Sequence, residues 1–253
     1  MYESRLVQHQ VTSGFINIVA DNHVLPAFWA HPEIGGTFPG LVLIHGSWGL
    51  TPHMRTRVRR FAELGFYVIA PDLFEGKSAS DDAQGDALRN ELGEAGPPKV
   101  SAALRALETH NRVNGKMGVI GWQMGGDLAY HAAMFRTDLD AVIVFSGRPD
   151  DYLTMMPADE TPILAFYGEH DHSASPTMIK RVRAALLKSP GKGQVVIYPG
   201  VTDGFSNDEG PRYNAEAAAD AWGKLLDFLV ERMEIDQSAQ HTARHSEEPG
   251  VDA

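Results

Sequence analysis

The chain has 253 residues, 43% hydrophobic and 22% charged, enough to bury about three quarters of its unfolded surface in one large or two small domains. That composition excludes wholesale disorder; no apolar run reaches membrane-helix length, and residues 1–5 lack a basic-then-apolar signal, so a cytoplasmic protein with no membrane partner is expected. Zero cysteines exclude disulfides, thiolate metal sites and a thiol nucleophile, and a net charge of −11 without a basic stripe argues against nucleic acid as a partner.

Along the chain, short apolar runs alternate with amphipathic stretches, the pattern of an α/β fold with a mostly parallel sheet flanked by helices. Segments 6–11, 15–20 and 24–30 read as an antiparallel meander. Buried strands are predicted at 41–44 and 66–70, joined by a helix over 52–64 that Gly65 stops. Further strands are predicted at 117–120, 141–145, 163–166 and 194–198. Helices are predicted at 83–92, 99–111, 124–135 and 176–187, the last opened by Ser175-Pro176. A final helix over 211–233 carries Ala218, Ala221, Trp222, Leu225 and Leu229 as a core stripe. No repeat appears, so residues 1–235 read as one domain. Residues 236–253, four acids against the single Arg244 with little to bury, read as a disordered acidic tail.

The segment Gly121-Trp122-Gln123-Met124-Gly125-Gly126 links a predicted strand to a predicted helix. Small residues two before and two after a central position describe a nucleophile elbow, whose strained turn demands glycine. The central residue, projected above the sheet, is Gln123.

The sequence resembles the dienelactone hydrolase family of α/β-hydrolases over about residues 10–232. The resemblance is carried by Leu43-Ile44-His45, Trp48-Gly49-Leu50, Ala70-Pro71-Asp72-Leu73, Gly121-Trp122 with Met124-Gly125-Gly126, Tyr167-Gly168-Glu169 with Asp171, Tyr198-Pro199-Gly200 with Gly204-Phe205, and Tyr213-Asn214-Ala215-Glu216. It implies an α/β-hydrolase fold, a small-molecule ligand or substrate, and a working set of cysteine, aspartate, histidine and glutamate. Matched by position, only the aspartate survives, as Asp171. The cysteine position holds Gln123, the histidine position Asp203 and the glutamate position Gly46. One arginine position for the substrate carboxylate holds Asn207.

An amide is no nucleophile, so an acyl-enzyme at Gln123 is excluded. What remains is a polar set, Gln123, Asp171 and Asp203. If the two carboxylates lie about 4 Å apart, repulsion of about 4 kcal/mol leaves one of them holding a proton near neutral pH, a coupled acid–base pair. Met124 and Ser47 are the expected backbone oxyanion donors. His45, Trp48, Trp122, His170, His172 and Phe205 are pocket candidates, the aromatics being equally at home in a core. The Ser47 hydroxyl is a rival nucleophile, and the rim is expected at 74–96. Glu169-His170-Asp171-His172 resembles a metal run, but no further ligand pair stands at helical spacing, so neither metal nor other cofactor is expected. His131 reads as packing. Two functions stay open: non-covalent acid–base catalysis on a small carbonyl compound, or an inactive relative that holds a ligand or protein partner.

Overall fold

The computed structural model describes residues 8–20 and 23–233. Two antiparallel strands, β1 (Val11–Ala20) and β2 (His23–Pro32), lead into β3 (Phe38–Ile44), α1 (Pro52–Glu63), β4 (Tyr67–Pro71), α2 (Asp82–Leu92), α3 (Gly96–Glu108) and β5 (Val113–Trp122). There follow α4 (Met124–Phe135), β6 (Ala141–Phe145), β7 (Ile163–Gly168), α5 (Pro176–Leu186), β8 (Gln194–Tyr198) and α6 (Ala215–Met233). The strands form one sheet in the order β1-β2-β4-β3-β5-β6-β7-β8, parallel from β4 onward.

The near-continuous apolar runs of β3, β4, β6 and β7 follow from burial on both faces. One core packs α3, α4 and α5 against the sheet; the other packs α1 and α6, with Leu225 and Leu229 fully buried. The carboxyl ends of β3, β5, β6, β7 and β8 then open on one edge, where a parallel sheet places its ligand crevice.

Three expectations change. Of the strand expected at 6–11, residues 6–7 lie outside the described residues and 8–10 are not in a strand; β1 begins at Val11 and pairs in register with β2 over its whole length. The helix expected over 99–111 spans Gly96–Glu108, because Pro97 and Pro98 fit a first helical turn, where no N–H acceptor is lost. The last helix starts at Ala215, not at 211. Asn214 caps it through a 3.0 Å bond from Ala217 N–H, which leaves Arg212 in the preceding loop. The expected tail, 236–253, lies outside the described residues. Among those described, no helix is long and apolar enough to cross a membrane.

The turn between β5 and α4 needs its glycines for space. A Cβ on Gly121 would lie 2.0 Å from the carbonyl oxygen of Gly125, and one on Gly125 2.2 Å from that of Ile44. These are backbone neighbours, which cannot yield as a side chain would. Gly125→Ala is therefore expected to destabilise the fold by about 3 kcal/mol or more, or to prevent folding. Urea unfolding measures this, and a loss below about 1 kcal/mol would contradict the packing described.

Candidate active site

Gln123 occupies the elbow with φ 50° and ψ −114°, a left-handed-side conformation rare for a residue with a side chain. The surroundings hold it there: its N–H donates to Phe145 O at 2.7 Å, and Asp127 N–H donates to its carbonyl at 3.1 Å. Such strain survives only where neighbours over-determine it. The side chain enters a cleft of about 510 Å³ whose walls include Gly46, Trp48, Trp122, Phe145, Ser146, Phe205 and Arg212.

Asp203 organises the polar side of the elbow. Its Oδ2 accepts Gln123 Nε2 at 3.0 Å and Arg212 Nη1 at 2.8 Å. Its Oδ1 accepts the backbone N–H of His172 at 3.2 Å and the Nδ1 of the same residue at 2.7 Å. The carboxylate is only 2% exposed. Burial opposes its ionisation, but the His172 bonds, the Arg212 charge and the Gln123 amide together hold its pKa below the usual carboxylate range. His172 turns its Nδ1 to this carboxylate, and its side chain is 66% exposed.

Asp171 is different. Its Oδ1 accepts Ser173 N–H at 2.9 Å and Ala174 N–H at 3.0 Å, while its buried Oδ2 has no partner. Burial raises its pKa first of all; the Ser146 hydroxyl pulls it down, the Asp203 charge pushes it up again, and the two backbone N–H groups offset part of the rise. The two carboxylates therefore bear on one another, and their pKa values move in opposite directions, up at Asp171 and down at Asp203. No hydrogen bond joins them among the described residues, and Arg212, delivered by the loop before α6, supplies the cation that lets Asp203 stay ionised.

The remaining residues divide by position. Trp48, 40% exposed, Trp122 and Phe205 belong to the cleft wall; Trp122 stacks on Phe145, and Phe145 meets Phe205 at 6.1 Å. His45 is buried and lies outside that wall. Its Nδ1 donates to Gly46 O at 2.8 Å and its Nε2 accepts Leu73 N–H at 3.1 Å, so the ring ties two loops together and burial keeps it neutral. Ser47 packs toward α2, where a Cβ on Gly85 would lie 3.0 Å from its Cβ, and it does not belong to the cleft wall. The N–H of Met124 opens α4, where the first donors have no acceptor within the helix.

His170 is exposed with its N–H on Val201 O, and Glu169 Oε2 takes Gly200 N–H. With His172 turned to Asp203, no group of three or more metal-ligating side chains converges among the described residues. His131 packs against Phe135 and Tyr152. Of the rim expected at 74–96, Ser80, Asp81 and Asp82 reach the cleft.

Sequence reasoning missed Arg212, Arg57 and Ser146. Arg57 stacks on Trp122 at 4.8 Å, donates to His53 Nε2 at 2.9 Å and to Ser206 O, and burial lowers its pKa to about 10. Nothing in the local pattern marks the two arginines: Arg212 reaches Asp203 from a loop, and Arg57 reaches Trp122 and Ser206 from the helix α1. A Ser-Gly pair closing β6 was a usable signal for Ser146.

The two acids are expected to act oppositely on stability. Asp203, with its depressed pKa, stabilises above the ordinary carboxylate range and loses that contribution as pH falls through its folded value. Asp203→Asn should cost about 2 kcal/mol or more at pH 7, shrinking below about pH 4. Asp171, with its raised pKa, favours the fold while protonated and ceases to as pH rises through its folded value. Asp171→Asn should therefore gain on the parent as pH climbs from about 4 to 8. Urea unfolding across that range decides both, and shifts of the same sign at pH 7 would contradict this account.

The dienelactone hydrolase family profile matches residues 25–233. A Yersinia pestis protein bearing the name carboxymethylenebutenolidase is 26% identical over 242 residues, covering 89% of this chain and 91% of its own. Protein usf of Aquifex pyrophilus is 31% identical over 214 residues, covering 80% and 91%. A Klebsiella pneumoniae structure with the designation dienelactone hydrolase superposes at TM-score 0.79 with 21% identity, covering 88% of this chain and 100% of that one. The dienelactone hydrolase-like promiscuous phosphotriesterase P91 from metagenomic libraries gives 0.77 with 22%, covering 88% and 99%. With the sheet, the elbow and the match over most of its length in agreement, the chain belongs to the dienelactone hydrolase family of α/β-hydrolase-fold proteins.

Proposed function

We propose that the chain takes a small lactone, ester or other carbonyl compound into the cleft and acts on it without a covalent intermediate. The step is water activation, or proton transfer of the lyase, isomerase or cyclase kind. The names of the relatives, carboxymethylenebutenolidase among them, support the lactone and ester class. One observation carries the reading: Gln123 stands at the elbow with its Nε2 bound to Asp203, which leaves Oε1 as an acceptor on the Gly46 side of the cleft. A water or ligand hydroxyl on that oxygen would sit beside a carbonyl whose own oxygen takes the N–H groups of Met124 and Ser47. The amide neither attacks nor removes a proton. Its part is to orient, and the part of Asp203 is to fix the amide and place a full negative charge behind it.

A second reading, an inactive relative that holds a small ligand or a protein partner, draws on one observation. Asp203 already accepts four hydrogen bonds, and neither carboxylate belongs to the cleft wall.

A panel of lactones and aryl esters separates the two. Turnover by the parent chain, falling about 100-fold in Gln123→Ala and in Asp203→Asn, is expected. Turnover that both variants leave unchanged would remove this site, and saturable binding with no product would favour the second reading. The double variant Gln123→Cys with Asp203→His is expected to acquire weak esterase activity with a burst of acyl-enzyme. If no burst appears, the pocket has diverged beyond those two positions.

A further inference from the structure

Ser146 follows β6 with φ 58°, one of four described non-glycine residues on the positive side. The strain is held from several directions. Ser146 N–H donates to Phe166 O at 2.9 Å, Tyr167 Oη to Gly147 O at 2.7 Å, and Arg148 N–H to Asp127 Oδ1 at 2.6 Å. Behind these, the hydroxyls of Tyr130 and Tyr167 meet at 2.9 Å, and a Cβ on Gly147 would lie 2.6 Å from Gly126 C on α4. The neighbouring strand β7 and the helix α4 therefore fix one serine in a conformation it does not prefer.

The placement leaves two groups incomplete. Ser146 belongs to the cleft wall, yet its buried Oγ has no hydrogen-bond partner, and the buried Oδ2 of Asp171 has none either. The hydroxyl nevertheless stands near enough to Asp171 to favour its ionised form. Two buried, unsatisfied and complementary groups side by side, one of them at a ligand cavity, call for an account. The titratable groups that bear on Asp171 are Asp203, from the loop after β8, and Tyr167 on β7; among the described residues no lysine or arginine pairs with it.

We propose that the Ser146 hydroxyl is the relay by which Asp171 exchanges a proton with the occupant of the cleft. The inference rests on the non-covalent reading above and deepens it. In the forward direction the O–H bond of the Asp171 carboxyl breaks as its proton passes to Ser146 Oγ. The Ser146 O–H bond breaks in concert as its own proton passes to the substrate oxygen or carbanion that is gaining charge. Asp171 is left as carboxylate, serine is regenerated, and the reverse transfer from water or product resets the pair. Rotation about χ1, between ordinary staggered wells, lets Oγ address either side. Ser146 is the group that touches the ligand; Asp171, acting through it, is a positioning and proton-holding residue.

The test uses two readouts. Infrared difference spectra across pH follow the Asp171 carboxyl, the band being assigned by its loss in Asp171→Asn. Ser146→Ala, which removes the hydroxyl that favours the carboxylate, is expected to move that titration upward by about half a pH unit or more. Ser146→Gly, which suits φ 58° and also lacks the hydroxyl, is expected to do the same and serves if the alanine variant does not fold. A titration that neither variant moves overturns the proposal. The second readout is the pH profile of kcat for dihydrocoumarin, an aromatic lactone. Both serine variants and Asp171→Asn should lose the pH dependence assigned to the acid and at least tenfold in kcat, with KM within about twofold. An unchanged profile in the serine variants overturns the relay. Absence of turnover by the parent chain defeats the reading under Proposed function and the relay with it, whereas turnover whose profile the serine variants leave unchanged defeats the relay alone.

Discussion

The site depends on one buried anion. Asp203 is almost sealed from water and still ionised, which is tolerable only because four donors converge on its two oxygens. The donors come from three places: the elbow after β5, the loop after β7 (twice) and the loop before α6. The carboxylate therefore works as a clasp across the edge of the sheet, and it determines which way the Gln123 amide faces. Without it, an amide at the elbow could turn either its donor or its acceptor to the cleft; with it, the acceptor is turned there.

The replacements fit one another. A Cβ on Gly46 would lie 2.9 Å from Gln123 Oε1, so the glutamine occupies space that any larger residue at 46 would invade. On the correspondence that the resemblance implies, the acid and imidazole order is reversed as well, with Asp203 at the histidine position and an imidazole, His172, next to Asp171 in sequence. A site drifting after loss of function would be expected to collect mismatched polar groups. Around Asp203 every partner is matched. This pattern favours a rebuilt site, whether it turns a substrate over or holds one.

The fold was legible because it rests on local periodicity and on spacing. Runs such as Leu41–Ile44 and the glycines around Gln123 carry their own physical meaning, and the strands they predict are present. Residues 41–44 need no distant information to be recognised as doubly buried. The placement of Gln123, Asp171 and Asp203 near one another was legible only through the resemblance, since 80 residues separate the amide from the carboxylate it binds. What escaped was charge compensation. Repulsion between close carboxylates puts a proton on one of them without saying which, and Arg212 makes Asp203 the one that stays ionised. The apolar stripe of α6 extrapolated backward to 211 would have put that arginine on a helix, whereas the Asn214 cap starts the helix later and frees the loop to turn back. Similarly, the imidazole of His45 was legible as a residue near the cleft but not as a tether, because both of its partners are backbone atoms.

Asp171 presents the opposite case from Asp203. One oxygen is well bonded and the other is buried without a partner, beside a serine hydroxyl in the same condition. Each unsatisfied buried group weighs against the fold by an amount comparable to the hydrogen bond it lacks. A protein selected only for stability has an easy remedy, since an amide or an apolar residue at 171 would lift the penalty of charging a buried carboxyl. Keeping an acid there makes sense if the proton it holds is used. The Ser146 backbone adds to the same argument: its strained φ is maintained by a tyrosine pair and by Asp127, groups that would otherwise have no reason to converge on one loop. Strain and incomplete hydrogen bonding thus fall together at one corner of the cleft, while the neighbouring corner, around Asp203, is complete. That asymmetry is what the proposed division of work needs, a rigid half to orient a ligand and a second half to exchange a proton.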